Sequence, residues 1–403
     1  MDRKPTIVDL FAGAGGLSLG LRNSGFDLLA AYESWDPAIA TYRINIGEHI
    51  HKRFISPETE VPFADVIVGG PPCQGFSSAG PRRQEDSRNT LVGEFARLIA
   101  EVRPPAFIFE NVEGFLTSGD GLFVFQLLDP LIEAGYRIHL RKINAVNYGV
   151  PQHRKRVIAI GGLGWDPSFP EPTHLAYGAP GAHLRNKPTL CRTPSLGEAL
   201  SRLPEPLSCP STEISDHCFK PLVGDDLKRA QMLLPGQWMK DLPEELWHDS
   251  YKKRAFRRVM DGTPTERRGG APAGIRRLKA DEPSKAITGG ALRDFLHPTE
   301  HRSLTIRECA SLQTFPLSFQ FFGSDSEKIQ LIGNAVPPLL ATVIGESLKK
   351  DLECPRRAIL EGGRLLSFIP TLSTGMSPVL ERVCRQVENR FGSFSGQRVL
   401  ELA

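Results

Sequence analysis

No two cysteines in this chain stand in a Cys-x-x-Cys spacing; Cys73, Cys191, Cys209, Cys218, Cys309, Cys354 and Cys384 are odd in number and scattered. That excludes a disulfide framework and a zinc site as organising devices, so no metal is expected and reduced thiols in a reducing compartment follow. A large excess of acidic or basic residues is also missing. A formal net charge of +3 is too small to imply nucleic-acid binding, so any basic surface has to be local. No apolar run is expected to reach membrane length, and Met1-Asp2-Arg3-Lys4-Pro5 leads straight into a strand-like run rather than a signal segment. The expectation is a soluble, cytoplasmic protein with no membrane partner. Repeats and low-complexity tracts are also missing. With 40% hydrophobic and 24% charged residues the composition is ordinary for a globular protein, and 403 residues favour two domains over one.

Short apolar runs alternate with helix-like segments from residue 5 to about 165. Thr6–Leu10, Asp65–Val68, Ala106–Phe109 and Arg156–Ile160 are continuous apolar strands, as expected for parallel strands buried on both faces. The fold class expected is therefore α/β, a mainly parallel sheet with helices on both faces, occupying residues 1–165. Residues 166–324 are richer in Pro and Gly and read as a second, smaller, irregular domain. Its stretch Lys252, Lys253, Arg254, Arg257, Arg258, Arg267, Arg268, Arg276, Arg277 and Lys279 faces only Asp261 and Glu266, which makes a local basic surface suited to nucleic acid. Gly262, Gly269, Gly270 and Gly274 would let it follow a groove. Regular helical character returns over 325–355, read as a return to the first domain. Residues 356–403 carry no interpretable motif and are left unassigned.

In such sheets function gathers at the carboxyl ends of the strands, and the polar motifs sit there. Asp9-Leu10-Phe11-Ala12-Gly13-Ala14-Gly15-Gly16 is a strand entering a Gly-rich turn, and Glu33 near the next strand end can accept from ribose hydroxyls. Together they indicate a nucleoside-containing cofactor. A dinucleotide dehydrogenase fits this motif as well as a methyl-donor enzyme does, although Ser18 replaces the third glycine of the dinucleotide fingerprint. Cys73 follows Gly70-Pro71-Pro72; two prolines fix the backbone and present the next side chain rigidly, as a nucleophile requires. Thiolate addition at C6 of cytosine turns the ring into an enamine whose C5 can attack a methyl sulfonium. Taken alone, Cys73 would be a buried structural thiol. Glu110, at the end of an apolar strand, is placed where desolvation raises a carboxyl pKa, so that it can donate to cytosine N3. Read blandly, it is a solvated or helix-capping residue. In Gln152-His153-Arg154-Lys155-Arg156, strand alternation puts Arg154 and Arg156 on one side, able to hold a base carbonyl and a phosphate; the bland alternative is a basic strand edge.

These motifs, in this order, resemble the bacterial DNA (cytosine-5) methyltransferases across residues 6 to about 350. The run continues through Asp86-Ser87-Arg88-Asn89-Thr90-Leu91, Arg302–Pro316 and Gly333-Asn334-Ala335-Val336-Pro337. The resemblance implies a Rossmann-like S-adenosylmethionine-dependent methyltransferase fold plus a target-recognition domain. It implies cofactor contacts from Phe11, Gly13, Gly15, Glu33, Pro72, Leu91, Asn334 and Val336, with Cys73, Glu110, Arg154 and Arg156 at a flipped cytosine. Double-stranded DNA is the implied partner, bound by a monomer, and a cognate restriction endonuclease is compatible with it. Two features depart from the family. No Asp-Ile pair lies between Asn45 and Pro62, where an aspartate usually meets the adenine, leaving Glu48 or another residue to substitute; and the tail after Arg356 runs past the family's usual end. An RNA-directed relative would differ in the loop Gln74-Gly75-Phe76-Ser77 and carry a shorter recognition segment. A silent DNA-binding relative would be expected to lose Cys73, Glu110 or Arg154, and all three are present.

Overall fold

The computed structural model describes residues 3–72, 91–179, 182, 189–208, 214–249, 251–252, 274–354, 360–372 and 375–392. The first half alternates strand and helix: β1 (Thr6–Leu10), α1 (Gly16–Asn23), β2 (Asp27–Glu33), α2 (Asp36–Asn45), β3 (Ile50–Lys52), β4 (Val66–Gly69), α3 (Leu91–Val102), β5 (Ala106–Asn111), α4 (Leu122–Glu133), β6 (Tyr136–Asn144), β7 (Gln152–His153) and β8 (Lys155–Leu163). Then follow β9 (His174–Leu175), β10 (Cys191–Arg192), α5 (Leu196–Leu200), α6 (Gly224–Met232), β11 (Arg276–Arg277), β12 (Ser284–Lys285), α7 (Ala291–Asp294), β13 (Phe295–Leu296), α8 (Ile306–Leu312), α9 (Asp325–Asn334), α10 (Pro338–Leu352), β14 (Arg364–Ile369) and α11 (Pro378–Phe391).

Eight strands form the main sheet in the order β14-β6-β8-β5-β4-β1-β2-β3. All are parallel except β8, which runs against both β5 and β6. The expectation of a parallel strand at Arg156–Ile160 is thus corrected. The cause is the link from Asn144 to Lys155, which lacks a crossover helix; a short connection returns a strand antiparallel to its predecessor. Alternation along β5 divides the core. Phe107 and Phe109 enter an apolar layer with α3, α4 and α11, whereas Ala106 and Ile108 enter a second with α1 and α10. The second layer is tight because Gly20 faces α10: a Cβ there would lie 2.4 Å from the Ala341 Cβ.

The expected domain boundary at 324 falls inside one apolar cluster, which joins Leu196, Leu278, Ile306 and Phe315 to Ala14, Leu19 and Ala38 of the first domain and to Ile329 and Ile332 of α9. A separate small core is formed by Ala230, Leu233, Met239, Leu242, Ile275 and Leu296. The stretch Asp325–Leu352 is long and apolar enough, by length and composition, to cross a membrane, contrary to the reading of the sequence. It is two helices in tandem, broken at Ala335–Pro337, and 67% of its apolar window is buried inside the protein. The tail left unassigned in the sequence supplies the eighth strand, with β14 parallel to β6. Helix α11 then buries Leu380, Val383, Cys384 and Val387.

Candidate active site

β1 delivers Asp9 to the bottom of the site and then turns sharply. Phe11 adopts φ +61° and Gly13 φ +55°, and at Gly13 a Cβ would meet nothing within 4 Å among the described residues. A non-glycine residue in the left-handed region is strained, and such strain collects at functional turns. Gly15, expected to touch the cofactor, faces the other way: a Cβ there would lie 2.1 Å from the Ile46 Cδ1 beside α2. It shapes the loop and does not line the cavity. Ser18, the residue that breaks the dinucleotide fingerprint, donates to Asp9 Oδ2 at 2.6 Å, and the chain continues through Tyr42 Oη (3.0 Å) to His49 Nε2 (2.9 Å). Burial pushes the Asp9 carboxyl from 3.8 up to about 7, opposed by the Ser18 hydrogen bond and assisted by the charge of Glu33.

Glu33 ends β2 and fixes the turn. Its Oε2 accepts from Gly13 N at 2.8 Å, and its Oε1 accepts from Ser34 N and Trp35 N at 2.7 and 2.9 Å. A cavity of about 1180 Å³ opens over these strand ends. Phe11, Gly13, Glu33, Pro72, Leu91, Asn334 and Val336 all line it. So do Arg53 and Phe54, which the sequence reading missed. Arg53 N donates to Glu33 O at 2.8 Å, and the Phe54 ring is 58% exposed beside buried Ile55. Glu48, named as the substitute for the family aspartate, points to solvent, 85% exposed and 3.4 Å from Arg43. An exposed aromatic directly after β3 was the available signal.

β5 carries Glu110 to the middle of the same cavity. Its Oε1 stands 2.7 Å from Arg156 Nε, with the two side chains 10% and 12% exposed. The two atoms lie within ion-pair distance but are misaligned for a hydrogen bond, and neither has another hydrogen-bond partner among the described residues. Buried polar atoms left in that state are costly unless something else completes them. The strand end before Cys73 is packed against this pair: a Cβ on Gly70 would lie 3.0 Å from Glu110 Oε2, and Asn111 Nδ2 donates to Pro71 O at 3.3 Å. Cys73 lies outside the described residues.

Arg154 and Arg156 line one cavity but differ in what they do. Arg154 is 1% exposed and donates to the carbonyls of Ile287, Gly333 and Ala335 at 2.9, 2.6 and 2.9 Å. Burial, with the charge of Arg156, pulls its pKa well down. Its guanidinium is committed to backbone, so the expectation that it holds the base is corrected: it positions the Asn334 turn. Gln152 assists, donating to Leu312 O at 2.8 Å while accepting from Ile287 N at 3.0 Å.

Of the basic run, Lys253, Arg254, Arg257, Arg258, Arg267 and Arg268 lie outside the described residues. Arg277 is corrected as a DNA contact. It is 3% exposed and donates to the carbonyls of Leu233, His297, Glu300 and Ala230, which ties the small core together. Arg276 packs over the Trp238 ring at 5.5 Å, and Lys252 closes a short turn on His248 O.

The family model for C-5 cytosine-specific DNA methylase matches residues 5–350. The chain is 32% identical to the type II methyltransferase M.AgeI of Thalassovita gelatinovora, covering 85% of this chain and 98% of that one. It is also 32% identical to M1.HphI of Haemophilus parahaemolyticus, covering 86% and 87%. Among solved structures it resembles a prophage-encoded E. coli protein described as a DNA modification methyltransferase, at 25% identity and TM-score 0.59 over 87% of this chain and 99% of that one. A second, S. pombe Dnmt2, shares the fold at 16% identity and TM-score 0.54, with coverage of 87% and 100%. On the matched residues and these identities, the chain belongs to the C-5 cytosine-specific DNA methylase family.

Proposed function

We propose that the cavity is a two-part active site for methylating C5 of a cytosine extruded from duplex DNA. The observation that carries this reading is the Glu110–Arg156 pair, buried at adjacent strand ends with Oε1 and Nε lacking a hydrogen-bond partner among the described residues, beside Pro71-Pro72 and in one cavity with Glu33 and the glycine turn. S-adenosylmethionine, when bound, supplies a methyl group carried on a sulfonium. The residues present suit it: Gly13 leaves the turn open, Glu33 offers a carboxylate for ribose hydroxyls, and Phe54 offers a ring for the adenine face. Phe11, Pro72, Leu91, Asn334 and Val336 complete its surroundings. At about 1180 Å³ the cavity exceeds the usual range for one small ligand, leaving room for a base.

In this reading Cys73 adds as thiolate to C6, and the ring electrons move toward N3, where Glu110 supplies a proton. Arg156, a planar donor beside Glu110, holds the carbonyl oxygen at C2. C5 then takes the methyl group, a base removes the C5 proton, and elimination returns the electron pair to the Cys73 sulfur and the N3 proton to Glu110. C5 and C6 are shielded inside a stacked duplex, so extrusion precedes chemistry. The type II names of the relatives support a restriction-modification setting, with the protein acting as a monomer on chromosomal DNA in the cytoplasm, with or without a cognate endonuclease. Residues 252–277 are read as part of the DNA-facing surface, Arg277 excepted. Labelled-methyl transfer to duplex DNA, followed by bisulfite sequencing of the product, tests the proposal: methylcytosine in one short sequence context is expected, and transfer to tRNA alone would overturn it.

A further inference from the structure

The family match ends at residue 350, yet the chain then re-enters the sheet. β14 lies parallel to β6, from Arg364 opposite Arg137 to Ile369 opposite Arg141, and β6 is parallel to β5 through their antiparallel neighbour β8. The carboxyl end of β14 therefore opens on the same edge of the sheet as Glu110. Pro370, Thr371, Gly375, Met376, Ser377 and Leu380 line the cavity that holds Glu110 and Arg156. Strand order decides which half they serve. β14 and β6 form one end of the sheet, β8 and β5 carry Arg156 and Glu110 next to it, and β2 and β3, with Glu33 and Arg53, lie at the far end.

This wall is anchored. α11 buries four apolar side chains in the main core, Gly121 makes room for Val383 where a Cβ would approach its Cγ2 to 2.8 Å, and Arg382 pairs with Asp120 at 3.1 Å. Met376 is nevertheless 41% exposed, with its Sδ accepting from Cys384 Sγ at 3.7 Å. Between Glu361 and Glu381 the chain has no acidic residue, so the wall itself carries no anion, while Lys155 lines the same cavity, as does Lys142, paired there with Glu113 at 2.8 Å.

We propose that Pro370, Thr371, Met376 and Ser377 form a wall for the DNA strand that carries the target cytosine, with Met376 set against its sugar-phosphate backbone. This rests on the reading of the cavity as a methyltransferase site. The test uses the full chain, a fluorescent duplex in anisotropy titrations, methyl-transfer kinetics, and calorimetry with S-adenosylhomocysteine. Met376→Glu introduces an anion at the wall and weakens duplex binding and raises the DNA KM by about tenfold, increasingly so at low salt. Met376→Gln, neutral and of similar length, stays within about twofold of the native chain because it adds no charge. Affinity for S-adenosylhomocysteine is unchanged in both. Native-like duplex binding by Met376→Glu, equal losses in both variants, or a parallel loss of S-adenosylhomocysteine binding would each overturn the wall. A native chain that binds duplex without transferring methyl overturns the catalytic reading instead.

Discussion

Glu110 and Arg156 face each other across 2.7 Å, whereas Arg154, two residues away, spends its guanidinium on three carbonyls. The two arginines should therefore fail differently. Arg156→Ala lowers kcat with little change in melting temperature. Arg154→Ala removes the donor from the buried carbonyls of Ile287 and Gly333, while Ala335 O keeps Gln313 Nε2, and destabilises the fold by about 3 kcal/mol, read in urea titrations. Glu110→Gln keeps the shape but removes the proton donor, so kcat falls about 100-fold or more in methyl-transfer assays. Asp9 sets a pH signature. Its carboxyl titrates at about 7 in the folded chain against an ordinary 3.8, so the folded state holds the proton longer than the unfolded one. The contribution of Asp9 to stability is greatest below about pH 4, falls as pH rises toward 7, and then levels, on the order of 4 kcal/mol. Asp9→Asn removes that slope, and thermal melts across the window measure it. At this scale the position of a residue was legible where a motif is local, as with Glu33 and Glu110 at their strand ends in the cavity. It was silent on Arg154, because Gln-x-Arg-x-Arg does not reveal that carbonyls at 287, 333 and 335 will converge on one of its arginines and not the other.

Elements were legible where periodicity is strong and both faces are buried, as in β4 and β5, whose residues are all buried. The direction of β8 was not, since an apolar strand reads the same either way and only the helix-free link from β6 fixes it. The tail shows the opposite failure. Leu380, Val383, Cys384 and Val387 recur at i, i+3, i+4 and i+7, the stripe of an amphipathic helix, and that signal was present without a motif to draw attention to it. Burying those four side chains is worth roughly 6–12 kcal/mol gross, comparable with a whole domain's net stability. Truncation at residue 355 should therefore yield a chain that aggregates or loses its cooperative melt, as differential scanning calorimetry would show; an unchanged melt would contradict the placement of β14 and α11 in the core.

Across the whole molecule, sheet order brings these local features into one cavity: Glu33 and the glycine turn lie over β1–β3, and Glu110 and Arg156 over β5 and β8, the halves proposed for the nucleoside and the base. Motif order carried most of this in advance, because each motif follows a strand and parallel strands bring their carboxyl ends to one edge. What it did not carry were the cavity-lining Arg53 and Phe54 and, from the tail, Pro370, Thr371, Met376 and Ser377, all set by packing between segments distant in sequence. The central claim is that Cys73 attacks a cytosine held by Glu110 and Arg156. DNA with 5-fluorocytosine at the target position cannot release its C5 substituent as a proton, so the native chain with S-adenosylmethionine should form a covalent protein–DNA adduct stable to denaturing electrophoresis. Cys73→Ala should form none; an adduct with that variant, or none with the native chain on DNA that it methylates, would contradict the account.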